Sequence, residues 1–277
     1  MKKLVSLFFI IMCGVILSAC SKQTLFETLD ALVSVEGYIE MSLDQNEWKQ
    51  VLNDEDFDAY LAKIYPSFEF IPVTTETGKP PFYTISDTAK EEIDFGYLEI
   101  PLYFRSTTLT EVIWKSATIS SLPISWKSDV DFVSAASNVE KDEEIFASLV
   151  NAMRISIEDV ENDGHIVVYE RAPGYHHNHV LGNGDDLFGM DLDAQGYLSY
   201  HYAKYQRYPF GVENIIVPET ITAVVESKNI CVLNLSGEGM MMEGMVVIRI
   251  WIEAWDPDCY PVVLKSDFSL QLSFIGK

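Results

Sequence analysis

Basic residues are scarce in this chain, which has 19 Lys and Arg against 42 Asp and Glu in 277 residues. The formal net charge is −23. This charge disfavours nucleic acid and anionic membrane surfaces as partners, because both are themselves negatively charged. Hydrophobic residues nevertheless make up 48% of the sequence, which is enough to build a sizeable folded core.

The sequence also lacks the motifs of common enzyme classes. It contains no HExxH, no G-x-S-x-G and no P-loop. Cys259 and His201 could form a Cys/His nucleophile pair, but structural roles for both are favoured because few cysteines are catalytic. We therefore predict that the protein is not an enzyme.

The first twenty residues have the pattern of a secretory leader. Lys2 and Lys3 precede the apolar stretch Leu4–Leu17, which is too short to span a bilayer permanently and ends in small residues. The sequence Leu-Ser-Ala-Cys at 17–20 resembles the lipobox of bacterial lipoproteins, in which the cysteine is diacylated before cleavage. The resemblance implies a signal peptide at residues 1–19 and a lipid anchor on Cys20, on an extracytoplasmic protein of the cell surface. Losing two lysines would take the net charge from −23 to −25.

Two cysteines remain in the mature chain, Cys231 and Cys259. Outside the cytoplasm two such cysteines can pair. They are predicted to lie on a strand and just past the end of a neighbouring strand, and Cα atoms farther apart than about 7 Å cannot be bridged. The sequence therefore leaves a disulfide between them open.

Alternation of apolar and polar residues dominates the remaining sequence. It is clearest at 98–104, 246–252 and 268–274, and it predicts strands with one buried face. Pro101 lacks an N–H group, so its strand is predicted to be an edge strand or to carry a bulge. Weaker strand patterns occur at 34–43, 112–119, 153–159, 165–170, 221–226 and 230–235.

Helix signals are few and short. Residues 54–65 and 142–152 each have acidic residues in the first turn and apolar residues at helical spacing. Together these patterns predict an all-β fold, a two-sheet jelly-roll-like sandwich with one or two short helices in its connections. We expect an anchor and short lead at 20–33 and a single sandwich domain at 34–277.

Four stretches resemble a family of secreted proteins from Gram-positive bacteria. They are VVIRIWIEAWDPDC (246–259), GYLEIPLYFRST (96–107), NAMRISI (151–157) and FIPVTTETGKPPF (70–82). They are similar to segments of the TasA/camelysin group, whose fold is a jelly-roll sandwich and whose best-known members build extracellular fibres. The resemblance implies a surface-exposed sandwich with a matrix-associated role. Fibre formers of that group use a free N-terminal segment, which a lipid on Cys20 would tether.

The stretch 174–201, GYHHNHVLGNGDDLFGMDLDAQGYLSYH, concentrates metal-binding residue types and has no lysine or arginine. Imidazole suits zinc, so His176, His177 and His179 with Asp185 could form a transition-metal site if a turn brings them together. A solvated polar loop is the favoured interpretation.

Calcium is a second option for the same stretch. Asp191 and Asp193 match the start of an EF-hand loop, but Gln195 and Tyr202 occupy later ligand positions, so the EF-hand pattern fails. An irregular carboxylate site for calcium stays open, with these ligands: Asp185, Asp186, Asp191 and Asp193.

Five tyrosines follow, at positions 197, 200, 202, 205 and 208. Exposed rings could stack on sugars, which would make this region glycan-binding. The ordinary interpretation is that they fill half-buried strand positions.

We therefore predict a lipid-anchored, cell-surface β-sandwich protein with a structural, adhesive or matrix-associated role. Its expected partners are the membrane, through Cys20, and surface or matrix proteins or further copies of itself. The alternative is an extracellular ligand-binding module for a glycan or a divalent metal, zinc or calcium.

Overall fold

The computed structural model describes residues 29–133, 138–161, 164–171, 196–237 and 240–277. Its helices are α1 (Asp54–Ile64), α2 (Leu149–Ala152) and α3 (Tyr197–Tyr205), with 3₁₀ turns η1 (Val212–Asn214) and η2 (Pro261–Lys265). Its strands are β1 (Leu29–Glu36), β2 (Ile39–Ser42), β3 (Val51–Leu52), β4 (Pro72–Val73), β5 (Phe82–Ile85), β6 (Lys90–Ile93), β7 (Leu98–Ser106), β8 (Glu111–Ser121), β9 (Ile124–Lys127), β10 (Phe132–Val133), β11 (Asn138–Val139), β12 (Glu144–Ala147), β13 (Met153–Asp159), β14 (His165–Glu170), β15 (Val225–Asn234), β16 (Met242–Glu253) and β17 (Phe268–Gly276).

Two sheets form the body of the protein. The first sheet has the strand order β15-β8-β17-β1-β3, and the second has the order β14-β13-β16-β7-β2, with β4 pairing β16 off that path. The chain crosses between the sheets from β7 to β8 and at each step from β14 to β17. The predicted all-β sandwich of jelly-roll type is confirmed. An unusual feature is that β1 lies parallel to the last strand, β17.

Strand β16 occupies the centre of the second sheet, between β13 and β7. Val246, Ile248, Ile250 and Ile252 point inward and are buried against the first sheet, as the alternation predicts. Their side chains meet alternating residues of β17, which include Leu270 and Leu272. The main core therefore lies between the two sheets, and the alternation of apolar and polar residues predicts which side chains of β16 and β17 face it.

The outer face of the second sheet is buried as well, contrary to the prediction of a single buried face. A strand cover, residues 70–97, packs Val73 and Phe82 against Trp251. A helical cover, residues 196–217, packs Leu198 against Trp255. The second sheet is thus the middle of three layers, because apolar side chains on its outer face also need burial.

Strand β7 explains the position of Pro101. β2 pairs only with Tyr103–Ser106, so the first half of β7 has an open edge. The hydroxyl of Tyr65 occupies that edge, accepting from the Glu99 N–H at 3.0 Å and donating to the Glu99 carbonyl at 2.8 Å. Pro101 lies two residues on and faces the same edge, where a missing N–H removes no ladder bond. β7 is therefore not the edge strand of its sheet, and the proline is tolerated because β2 leaves this half of β7 unpaired.

The two predicted helices have different outcomes. α1 is confirmed, and Asn53 caps it in a reciprocal capping box with Asp56. The predicted helix at 142–152 is wrong over most of its length, because Glu144–Ala147 pairs with β9 and only Leu149–Ala152 is helical. The side chains of Ile145 and Phe146 favour strands, and β9 offers a backbone to pair with.

Three strand boundaries also differ from the predictions. Strand β1 includes residues 29–33, which the sequence analysis assigned to the lead. Gly37, with φ of +96°, separates β1 from β2 within the predicted strand 34–43. Residues 225–234 form one bulged strand rather than two separate ones.

Replacing Ile250 with alanine should lower the free energy of unfolding by about 2–5 kcal/mol, because it removes buried aliphatic surface and leaves a cavity. Denaturant unfolding would measure this change. The control is Phe146→Ala on β12, where the side chain is 71% exposed and the effect should stay within about 0.5 kcal/mol. Equal effects of the two changes would contradict the assignment of the inner face.

Candidate functional site

Most of the predicted site residues lie outside the described residues. These are Cys20 and the candidate metal ligands His176, His177, His179, Asp185, Asp186, Asp191 and Asp193. Cys231 and Cys259 are described, and both are free thiols, so the disulfide that the sequence left open is not formed. Cys231 lies on β15 of the first sheet, whereas Cys259 follows the end of β16 in the second.

Cys259 and His201 do not form an activated nucleophile pair. Burial raises the pKa of the Cys259 thiol well above its usual range, and the nearby Asp256 and Glu253 add to the effect. A reactive cysteine requires a lowered pKa instead. Both ring nitrogens of His201 are engaged elsewhere, Nδ1 with the Arg207 carbonyl at 2.9 Å and Nε2 with Asp87 at 2.9 Å.

A cluster of buried ionisable side chains lies on the outer face of the second sheet. Its centre is Arg154, which is 1% exposed. One guanidinium nitrogen, Nη2, lies 2.6 Å from Asp256 Oδ2 and 2.8 Å from Glu170 Oε2. The other, Nη1, donates to the carbonyls of Asn151 and Met153. We call Arg154, Glu170 and Asp256 the arginine triad.

The triad and its surroundings contain more carboxyl groups than basic groups. Glu253 adds a third buried carboxyl group nearby, which accepts hydrogen bonds from the Trp251 indole at 3.0 Å and from the Trp255 N–H at 3.3 Å. Burial raises the pKa of Glu253, and burial also raises that of Asp256 although Arg154 opposes the shift. One guanidinium therefore faces three carboxyl groups in a site closed to solvent.

A second arginine forms a balanced network on the same face. Arg249 on β16 donates to Glu99 at 2.7 Å and to Glu158 at 2.6 Å. Lys79 of the strand cover donates to the other oxygen of Glu158 at 2.8 Å. Burial alone would raise the pKa of Glu158, but the hydrogen bonds from Lys79 and Arg249 outweigh it and hold the pKa below its usual value. This network joins three strands to the strand cover.

The helical cover is held by its own ion pairs. Asp87 of the strand cover binds both His201 and Arg207, and thereby joins the two covers. Lys204 binds Asp129 at 2.8 Å and donates to the Tyr200 hydroxyl at 2.9 Å. These charges serve to attach covering segments to the sandwich, because each named cation has an acidic partner from another segment.

The tyrosine-rich stretch is a helix, so the prediction of half-buried strand positions is wrong. Tyr200 is buried against Trp126, Phe132 and Tyr260, and it donates to Asp129 at 3.0 Å. Tyr202 is exposed and stacks on Tyr208 with 4.7 Å between the ring centroids. The helix therefore divides the rings between the core and the surface.

Across the described ranges, no three His, Cys, Asp or Glu side chains are grouped so that they could hold a metal ion. No helix in the described part of the chain is long and apolar enough to cross a membrane.

Sequence reasoning missed both arginine networks. Alternation with a single buried face predicts exposed positions for Arg249 and Glu253, whereas both side chains are buried. Trp251 and Trp255 on that same face were the available signal, since two tryptophans in alternate positions indicate a cover. Their partners on other segments could not be found from local patterns.

Comparison with protein-family models, curated proteins and solved structures found no match to this chain.

Replacing Arg154 with methionine should lower the free energy of unfolding by about 3–5 kcal/mol, because Asp256 and Glu170 would remain buried without their cation. Arg105→Met is the matched control, since Arg105 pairs with Glu40 near the surface and should contribute about 1 kcal/mol or less. Denaturant midpoints of the two variants would measure the difference. A small loss for Arg154→Met would show that the triad does not depend on its cation.

The raised pKa values of Glu253 and Asp256 predict how stability changes with pH. Both groups bind a proton more tightly in the folded state, so their protonation should add to the unfolding free energy as the pH falls from above their folded-state pKa values towards the unfolded values of about 4. Glu253→Gln should flatten this dependence, measured as the unfolding midpoint across that range. Glu243→Gln, an exposed change on the same strand, should leave it as it is. An identical pH profile for all three proteins would contradict the assignment.

Proposed function

We propose that this protein is a lipid-anchored component of the cell surface, with a structural, adhesive or matrix-associated role and no catalytic activity. The observation that carries the proposal is the arrangement of its buried charges. Arg154 binds carboxylates of β14 and of the segment after β16, and Arg249 binds carboxylates of β7 and β13, so these ionisable groups hold the layers together. A sandwich built in this way suits a protein whose function depends on lasting shape.

The leader sequence supports the anchored location. Two acyl chains on Cys20 would bury enough CH₂ groups for stable attachment, at about 0.8 kcal/mol each. Strand β1 begins nine residues later and lies parallel to β17 over its whole length. An anchor at Cys20 would therefore be joined through a short lead to the middle of the first sheet. The resemblance to the TasA/camelysin group agrees with a surface or matrix role.

A glycan-binding function is the second candidate. It is favoured by the exposed ring of Tyr202, which stacks on the half-buried ring of Tyr208, and by the exposed ring of Tyr205. Tyr200 cannot take part, because its ring is enclosed by other aromatic side chains. We place this function second, since the remaining rings occupy only one side of a short helix.

Cys20→Ala should abolish membrane attachment, because no thiol would remain for acylation at the cleavage site. The variant is expected in the medium or as an uncleaved precursor, measured by membrane fractionation and by the mass of the N-terminal peptide. Cys13→Ala, within the predicted signal peptide, is the control and should stay attached. Retention of the Cys20→Ala protein in membranes with unchanged processing would refute the anchor.

A further inference from the structure

The outer face of the first sheet has no cover among the described residues, unlike that of the second. One row of paired residues crosses all five strands of this face, in the order Val51, Ser34, Ser273, Ser116 and Val225. The next row crosses the three central strands as Leu32, Gln271 and Thr118. We call these two rows the open face.

The open face carries no charge, although the whole chain has a formal charge of −23. Charged residues flank it at both ends: Asp30 lies two residues before Leu32 on β1, and Lys115 pairs with Glu36 at the other end with 2.6 Å between them. Surfaces of soluble proteins are normally rich in charged residues of both signs. Two rows of neutral side chains on a strongly acidic protein therefore set this face apart from the rest of the surface.

Three aliphatic side chains on the open face are exposed to solvent. Val51 is 50% exposed, Val225 is 45% exposed and Leu32 is 38% exposed. The serines between them are small, and Ser116 and Ser273 hydrogen-bond each other at 2.5 Å. Removing water from the centre of this face costs little, because these two hydroxyls already bond each other and the aliphatic groups gain from burial.

We propose that the open face is the contact between two copies of this chain, related by a two-fold axis that runs along the strands above β17. A two-fold contact brings each surface patch against itself. Two bodies that each carry a charge near −25 repel one another wherever acidic surface meets acidic surface. The open face carries no charge of its own, so a contact through it adds little to this repulsion. Two sheets can pack face to face about 10 Å apart.

The size of the face decides how strong the contact is. Five strands span about 19 Å across the sheet, and the two rows with their flanks extend about 20 Å along the strands. Each copy would therefore bury roughly 400 Å². A stable soluble dimer buries about 800 Å² per partner, which makes this contact weak in free solution. Anchoring on a membrane supplies the high effective concentration that a weak contact needs. The inference therefore rests on the proposed lipid anchor.

The orientation of the axis follows from the anchor. β1 begins close to Cys20, so two anchored copies must have the start of β1 at the same end. A two-fold axis along the strands satisfies this condition, whereas an axis across the strands would point one anchor away from the membrane. With the axis above β17, Gln271 faces its own copy and so does Ser273.

The test is cysteine cross-linking of the full chain in isolated membranes. Gln271→Cys and Ser273→Cys are made separately in a Cys231→Ser background and oxidised to form disulfides. Each should give a covalent homodimer, and dilution in detergent before oxidation should reduce its yield at least about tenfold. Ser125→Cys, at an exposed position on β9, is the control and should give no more dimer than the background.

A charge variant adds a second measurement that does not depend on thiol reactivity. Thr118→Glu places a carboxylate opposite Leu32 of the other copy, and the cost of burying that charge in the contact should reduce dimer formation by Gln271→Cys about tenfold. Ser125→Glu adds the same charge away from the open face and should leave the yield unchanged.

The outcomes separate the contact from the anchor. Membrane-bound protein without a dimer at either position would overturn the contact and leave the anchor standing. A covalent dimer through Gln271→Cys but not through Ser273→Cys would contradict the proposed axis. A cross-link to a different protein would show that the open face does not bind a second copy of this chain. Protein absent from the membrane fraction would refute the anchor, and the same cross-links in concentrated solution would then decide the contact.

Discussion

Burial of strand β16 on both faces is the constraint on which the rest of the structure depends. Its inner face is aliphatic and meets the first sheet, as in any sandwich. Its outer face carries Arg249, Trp251 and Glu253 beneath two covering segments. Charged groups in such a place must be paired, because an isolated buried charge is far more costly than an exposed one. The covers and the neighbouring strands must therefore supply matching charges.

This requirement gives the buried ion pairs a role in specificity more than in net stability. Replacing a whole buried pair with apolar residues is often neutral or stabilising in proteins, whereas removing one partner is strongly destabilising. Arg249 reaches β7 and β13, and Lys79 extends the same network to the strand cover. A shifted register or a displaced cover would leave an arginine or a carboxylate buried alone. We infer that these networks disfavour alternative packings of three layers that are otherwise largely apolar.

Local patterns predicted those parts of the fold whose burial is decided within one strand. The inner residues of β16 and the start of α1 belong to this group, since alternation and capping are properties of neighbouring residues. The strand at 144–147 does not, because the edge of β9 decides between helix and strand there. Tyr200 was assigned to a strand for the same reason: its helix is held by Trp126 and Asp129, which are distant in sequence.

The candidate site could be predicted only in fragments. Arg154 is visible in the sequence as a charged residue within an otherwise strand-like segment, but nothing local indicates that Glu170 and Asp256 meet it. The pairing of β13 with β14 and with β16 brings these three residues together, and no local pattern specifies which strands pair. Trp251 was the strongest local clue, because an indole opposite an aliphatic face indicates that both faces of a strand are buried.

The same alternation of side chains therefore has different consequences in the two sheets. In the second sheet, both faces of β16 are enclosed over most of its length, and the buried arginines there are paired with carboxylates. In the first sheet, the outer positions of β8 and β17 hold small hydroxyl residues, which neither require a cover nor prevent one. Charged residues of this sheet, among them Asp30 and Glu36, lie at the two ends of those rows. A protein with one neutral flat face and otherwise acidic surroundings can approach a like-charged copy in few orientations, because repulsion penalises the others.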